Sequence, residues 1–144
     1  MKWITREKAK VDRIACPWLI KKFIDKDAEF LFVPAKDVVM VAKKENAISF
    51  DAEGAQFDHS DDGKCTFEVL VEHYKIKDKA IEQLAKIVHG ADVPDDITIT
   101  AESAGLRAIA HGFRLICKND HDNMAKQFAV YDALYEYIRQ GAKE

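Results

Sequence analysis

The segment "QFDHSDDGKCTFE", Gln56 to Glu68, gathers an imidazole, a thiol and several carboxylates into a short stretch of chain. Thr66 reads as the cap of a helix that starts there, which puts Cys65 just ahead of the helix and Glu68 in its first turn. Cys65 and Glu68, three residues apart, then point the same way. His59, at the end of a strand, can fold back toward them. Imidazole, thiolate and carboxylate together suit a divalent transition metal such as zinc or iron. A second chemistry is open to the same residues, because a helix N-terminus lowers a cysteine's pKa and makes Cys65 a candidate redox thiol. A third reading needs no ligand: Asp61-Asp62-Gly63 is turn chemistry, Thr66 a cap, and Glu68 an acid where the helix dipole favours one.

Three other groupings carry reactive side chains. His121 opens the last helix and Asp132 lies three turns later, nearly in register, along the flank of the stripe Met124, Phe128, Tyr131 and Tyr135. A carboxylate beside an apolar stripe needs a partner, so Asp132 is expected to meet an arginine, a tyrosine hydroxyl or a bound cation. Arg107, His111 and Arg114 share one helix face, where guanidinium groups around an imidazole can hold an oxyanion or simply form the solvated side of an amphipathic helix. In "DRIACPWLIKKF", Asp12 and Arg13 can orient one another. Cys16 beside Trp18 is either a packed thiol or a second redox candidate. His73 is expected on an exposed helix surface, and His89 near a helix C-terminus, where an imidazolium is favoured. No Walker loop, GxGxxG, HExxH, GxSxG or zinc-finger spacing is present.

The elements that must position these groups follow from periodicity. Lys2 to Thr5 is a short strand, and the spacing of Ile14, Trp18, Leu19 and Phe23 predicts a helix that begins at, or is kinked by, Cys16-Pro17. Glu29 to Pro34 reads as a buried strand. Asp37 caps a short helix through "VVMVAKKEN", and "AISFD" and "AQFD" form a hairpin or bulged turn around Glu53-Gly54. Helices follow from Thr66, through "DKAIEQLAKIVHGAD" with Ile81, Leu84, Ala85 and Val88 inward, from Thr100 or Ser103, and from the cap Asn119 up to Gly141. The fold class is α+β: a small N-terminal β-sheet with short helices, packed against a mostly helical C-terminal half, in one domain over residues 1–144.

The bulk numbers fit that frame. In 144 residues, 22 basic against 25 acidic side chains give a net charge of −3, too mild to steer the chain to nucleic acid or a membrane. Three widely spaced cysteines make no disulfide framework, which points to a reducing cytoplasm. The N-terminus lacks the apolar run of a signal peptide, and no run is long enough to span a membrane.

At "KVDRIACPWLIKKFID", followed by "AEFLFVP", the chain resembles the chromate-resistance domain family, the C-terminal part of ChrB-type chromate-responsive proteins. The likeness continues through "ISFD", the "H…CTFE" segment, "LAKIVHGAD" and "DHDNMAKQFAVYDALY", and "DRIACPWLI" is its most specific part. It implies a role in chromate resistance or sensing in a bacterial cell. Longer members carry an N-terminal region associated with transcriptional regulation; this chain starts at the domain, so DNA binding is not carried over. Asp12, Arg13, Cys16, Pro17, Trp18, His59, Cys65, Glu68, His121 and Asp132 match family motifs. The expectation is a cytoplasmic stress-response domain that binds a small inorganic ion, chromate or a metal. Its metal ligands are drawn from His59, Cys65, Glu68, His121 and Asp132, and its anion contacts from Arg13, Arg107 and His111. Two alternatives stay open: a metal- or thiol-dependent redox enzyme acting on chromate or reactive oxygen species, with Cys16 or Cys65 as the thiol, and a structural or dimerisation module without a ligand.

Overall fold

The computed structural model describes residues 1–141. Its centre is a three-stranded parallel sheet in the order β2-β1-β3, formed by β1 (Lys2–Arg6), β2 (Glu29–Val33) and β3 (Ile48–Ser49). The pleat alternates side chains. Ile4 packs with Val38 and Ala52 on one face, under α2 (Val38–Glu45), while Trp3 joins Phe30 and Phe50 in the main core. That core is closed by α1 (Asp12–Leu19), α3 (Thr66–His73), α4 (Lys79–Asp92), α5 (Ser103–Ile116) and α6 (Asp120–Gly141). The architecture is α+β, with the helical second half as cover. Among the described residues, no helix is long and apolar enough to cross a membrane.

Helix α1 starts at Asp12, before Cys16-Pro17, and Pro17 lies inside it. Ile14, Ala15, Cys16, Trp18 and Leu19 are all buried, so tertiary packing overrides the propensity cost of the proline. Directly after it, Ile20–Ile24 widens into a π-turn, with Asp25 N donating to Ile20 O at 2.7 Å. Of the hairpin or bulged turn expected around Glu53-Gly54, the hairpin does not form, while a turn does, with Ala55 N donating to Ala52 O at 2.9 Å. Phe50 and Phe57 share one isolated bridge, and Asp51 takes a left-handed φ of 49°. That backbone is held from several sides: Asp51 N donates to Phe57 O at 2.7 Å, and Asp51 O accepts from Arg6 Nε at 3.2 Å. An over-determined, non-glycine left-handed residue is a feature of functional sites.

Two clamps fix the elements that carry the polar residues. Asp120, at the start of α6, accepts from the Lys8 and Ala9 amides at 3.0 and 2.7 Å, and Asn123 donates to Ala9 O at 3.1 Å. These bonds set the β1–α1 loop and so aim Asp12. On the other side α4 and α5 approach closely at Gly90, where a Cβ would come within 2.8 Å of Ser103 Cβ at the start of α5. The approach brings Arg107 Nη1 to Ala91 O at 3.1 Å.

Helix α4 is fixed at its start by a single carboxylate. Asp78 caps it through the Ala80 and Ile81 amides and accepts from Tyr135 Oη at 2.6 Å. Burial pushes its pKa up, but the bonds from Tyr135, Ile81 and Ala80 prevail and hold it below the ordinary carboxylate value. A depressed carboxyl contributes stability above its unfolded pKa and loses it as pH falls through the folded value. Asp78→Ala is therefore expected to cost about 1–2 kcal/mol at pH 7, and less in acid, in denaturant melts at the two pH values.

Candidate functional site

Asp12 is the hub of the polar interior. It begins α1, is 1% exposed, and aims its carboxylate at the N-terminus of α3. Oδ2 accepts from Thr66 N at 2.8 Å, and Oδ1 from Phe67 N at 3.1 Å and Cys16 Sγ at 3.3 Å. The orphan amides of one helix start are thus satisfied by a carboxylate from another helix. Cys65 stands at the N-cap of α3, with Glu68 closing a capping box onto its amide at 3.0 Å. The expected cap, Thr66, instead turns its hydroxyl to Asp51 Oδ1 at 2.8 Å.

His59 is not drawn to Cys65 and Glu68. Its Nε2 lies 3.2 Å from Asp51 Oδ1, 3.2 Å from Asp92 Oδ2 and 3.5 Å from Asp12 Oδ2. These three acids come from the loop after β3, the end of α4 and the start of α1. Together they push His59 up to about 12, Asp12 most strongly, then Asp51 and Asp92. Asp12 is itself pushed up to about 7, by burial first and then by Asp51. Burial also acts upward on Asp51, but hydrogen bonding to His59, the charge of Arg13 and the Thr66 hydroxyl leave it below the ordinary value.

One ring nitrogen carries at most one proton, and a single N–H cannot serve three carboxylates. The spacing suits a cation better. Four tetrahedral donors about 2.0–2.1 Å from a metal lie about 3.3–3.4 Å from one another. Donor atoms of Asp12, His59 and Asp92 all fall within 4.8 Å of each other. Asp51 adjoins them, held in place by Thr66 and by Arg13 Nη1 at 3.5 Å.

Arg13, Arg107 and His111 line one cavity of about 180 Å³ with Lys10, Val11, Pro94 and the two site acids Asp12 and Asp92. Arg13 bonds Asp51 and Lys8 O rather than Asp12, and its Nε is buried with no hydrogen-bond partner among the described residues. His111 is held below its ordinary value, by burial first and then by Arg107 and Lys10. Arg114 borders a different cavity, beside Cys117 and Asp120.

Cys65 and Glu68 find a histidine, but it is His89, buried on α4. His121 is exposed and packs edge-on against Phe32, with ring centroids 5.2 Å apart. Asp132 accepts from Trp18 Nε1 at 2.9 Å and pairs with Lys22 at 3.0 Å. Neither belongs to a group of metal-ligating side chains among the described residues. Burial pushes the Cys16 and Cys65 thiols well up, the direction opposite to the one a helix start alone would give. His73 is exposed, with its ring against Phe57.

Asp51 and Asp92 are absent from the sequence-based candidates, and His89 is expected there only as an imidazolium near a helix C-terminus. His89 and Asp92 sit at i and i+3 on the final turn of α4, a spacing that places them on one face. That pairing was the available signal.

The comparisons with known proteins agree on the family. The family described as ChrB, C-terminal domain, matches residues 3–138. The chain is 36% identical over 142 residues to Protein ChrB of Cupriavidus metallidurans, a match that takes in 98% of this chain and 42% of that protein. The chain therefore spans less than half the length of this curated relative. No solved structure matches. On the family match and the extent of the alignment, the chain belongs to the ChrB C-terminal domain family.

Proposed function

We propose that this domain serves chromate resistance in the cytoplasm by binding a divalent transition metal such as zinc or iron through Asp12, His59 and Asp92. Asp51 holds the arrangement from behind. The observation that carries the reading is the single His59 nitrogen facing three carboxylate oxygens at 3.2–3.5 Å. Three protein ligands leave a coordination position for water or an exogenous group, as in open zinc sites. Asp12 and Asp92 belong to the metal group and also to the wall of the cavity that Lys10, Arg13 and Arg107 line. That shared wall, with the unpartnered Arg13 Nε, favours an oxyanion such as chromate as the second ligand, beside the metal.

Thermal unfolding tests the metal. Protein without a histidine tag, stripped by chelator, is expected to gain about 2.7 kcal/mol at a zinc concentration 100 times the Kd. For a chain of this size that corresponds to a rise of roughly 5–11 °C in Tm, reversed by fresh chelator. A Tm indifferent to zinc, iron(II) and manganese would remove the reading.

A further inference from the structure

The neighbouring group at the same helix start is built differently. His89 Nδ1 meets Glu68 Oε1 at 2.5 Å, and its Nε2 meets Asp96 Oδ2 at 2.6 Å. Glu68 Oε1 also accepts from the Cys65 amide at 3.0 Å, and the Cys65 sulfur accepts in turn from the Glu68 amide. One donor atom each from Cys65, Glu68 and His89 lies within 4.8 Å of the other two. Burial is graded across the group. Cys65 is fully buried, the Glu68 and Asp96 side chains are 25% and 47% exposed, and so the group opens to solvent on their side.

We infer that this is a second metal site, independent of the first, which takes a thiophilic divalent ion through Cys65 Sγ, Glu68 and His89 Nδ1. Asp96 keeps the His89 Nε2–H, the carboxylate–histidine–metal arrangement that fixes the ring and raises ligand basicity. Binding exchanges two protons for one ion: the Cys65 thiol and the His89 Nδ1–H both release theirs to solvent. The ion supplies the positive charge that a buried thiolate requires, and a coordinated thiol is deprotonated outright. The two sites then differ in character. The first offers only nitrogen and oxygen, and the second adds a sulfur that selects softer ions.

Cobalt(II) titration of the tag-free, chelator-stripped chain tests the assignment, because a thiolate bound to cobalt gives a near-ultraviolet charge-transfer band and N/O ligands do not. The band is expected in the unaltered protein and in His59→Ala, which leaves this group intact. It is expected to vanish in Cys65→Ser. His89→Gln, which keeps Cys65 and the capping box, is expected to lose it too, so the outcome does not hang on the folding of one variant. Asp96→Asn, a positioning change, is expected to require about 10–100-fold more cobalt. Absence of the band at saturating cobalt, or its survival in Cys65→Ser, overturns the second site whether or not the first binds metal. A band lost in His59→Ala but retained in His89→Gln overturns it as well.

Discussion

His59→Ala is expected to weaken zinc binding at the Asp12–His59–Asp92 group by more than about 100-fold, since loss of an outer-shell partner alone typically costs 10–100-fold. Calorimetric titration of the variant against the unaltered protein reads this directly. The variant's metal-free form is also expected to be less stable, because three carboxylates lose their shared counter-ion. The pH dependence follows from the same geometry. Asp12, Asp51 and Asp92 hold a proton on His59 up to about 12, so a metal must displace that proton at neutral pH. Affinity is then expected to rise at least tenfold per pH unit across the neutral range, as His59 gives up one proton per ion, and more steeply below about pH 7, where Asp12 gives up a second. The field that favours a proton acts on twice the charge of a divalent ion, which is how the metal competes. A binding constant flat between pH 6 and 8 would show that His59 is not the ligand.

Asp12→Ala is expected to be the most damaging change for the fold itself, at about 2–4 kcal/mol. The variant leaves the Thr66 and Phe67 amides at the start of α3 without their acceptor and deprives Cys16 of its own; a buried unsatisfied group costs about 1–3 kcal/mol. Relief of repulsion among the site acids offsets part of that. The sign with pH is set by the raised carboxyl of Asp12, at about 7. A carboxyl whose folded pKa exceeds its unfolded value weakens the fold as pH rises between the two. The metal-free, unaltered protein pays this penalty and the variant does not. The measured cost of Asp12→Ala is therefore larger at pH 5 than at pH 8, which denaturant midpoints at the two pH values resolve. An equal cost at both would mean that Asp12 titrates normally.

Local pattern was enough for much of the fold. The spacing of Ile81, Leu84, Ala85 and Val88 identified the buried face of α4, and all four are buried. Asn119 does cap α6, accepting from Asp122 N at 2.9 Å. Of the two readings of α1, a start at Cys16-Pro17 or a helix that runs through it, the structure has the second: Pro17 signals a boundary locally, whereas the burial of Ile14 and Ala15 ahead of it is decided by the rest of the chain. The hairpin around Gly54 failed for a similar reason: Asp51 is turned toward the interior by Thr5, Arg6 and Thr66, none of them near it in sequence.

The candidate site shows where sequence spacing stops being informative. His59, Cys65 and Glu68 share one short segment, yet the capping box faces Glu68 toward His89 while His59 turns to three acids from other elements. Which carboxylate meets which imidazole is a matter of helix packing, and periodicity does not report it. Arg13, Arg107 and His111 are the opposite case. The faces read from each helix separately do meet, in one cavity, because the close α4–α5 approach at Gly90 brings α5 against the end of α4 beside Asp92.

Whether an ion occupies the position that Asp12, His59 and Asp92 surround is read from anomalous scattering by zinc-soaked crystals. The expected result is an anomalous peak about 2.0–2.2 Å from His59 Nε2 and from one carboxylate oxygen each of Asp12 and Asp92. Crystals saturated with zinc that show no peak there, with His59 still turned to its three acids, would contradict it.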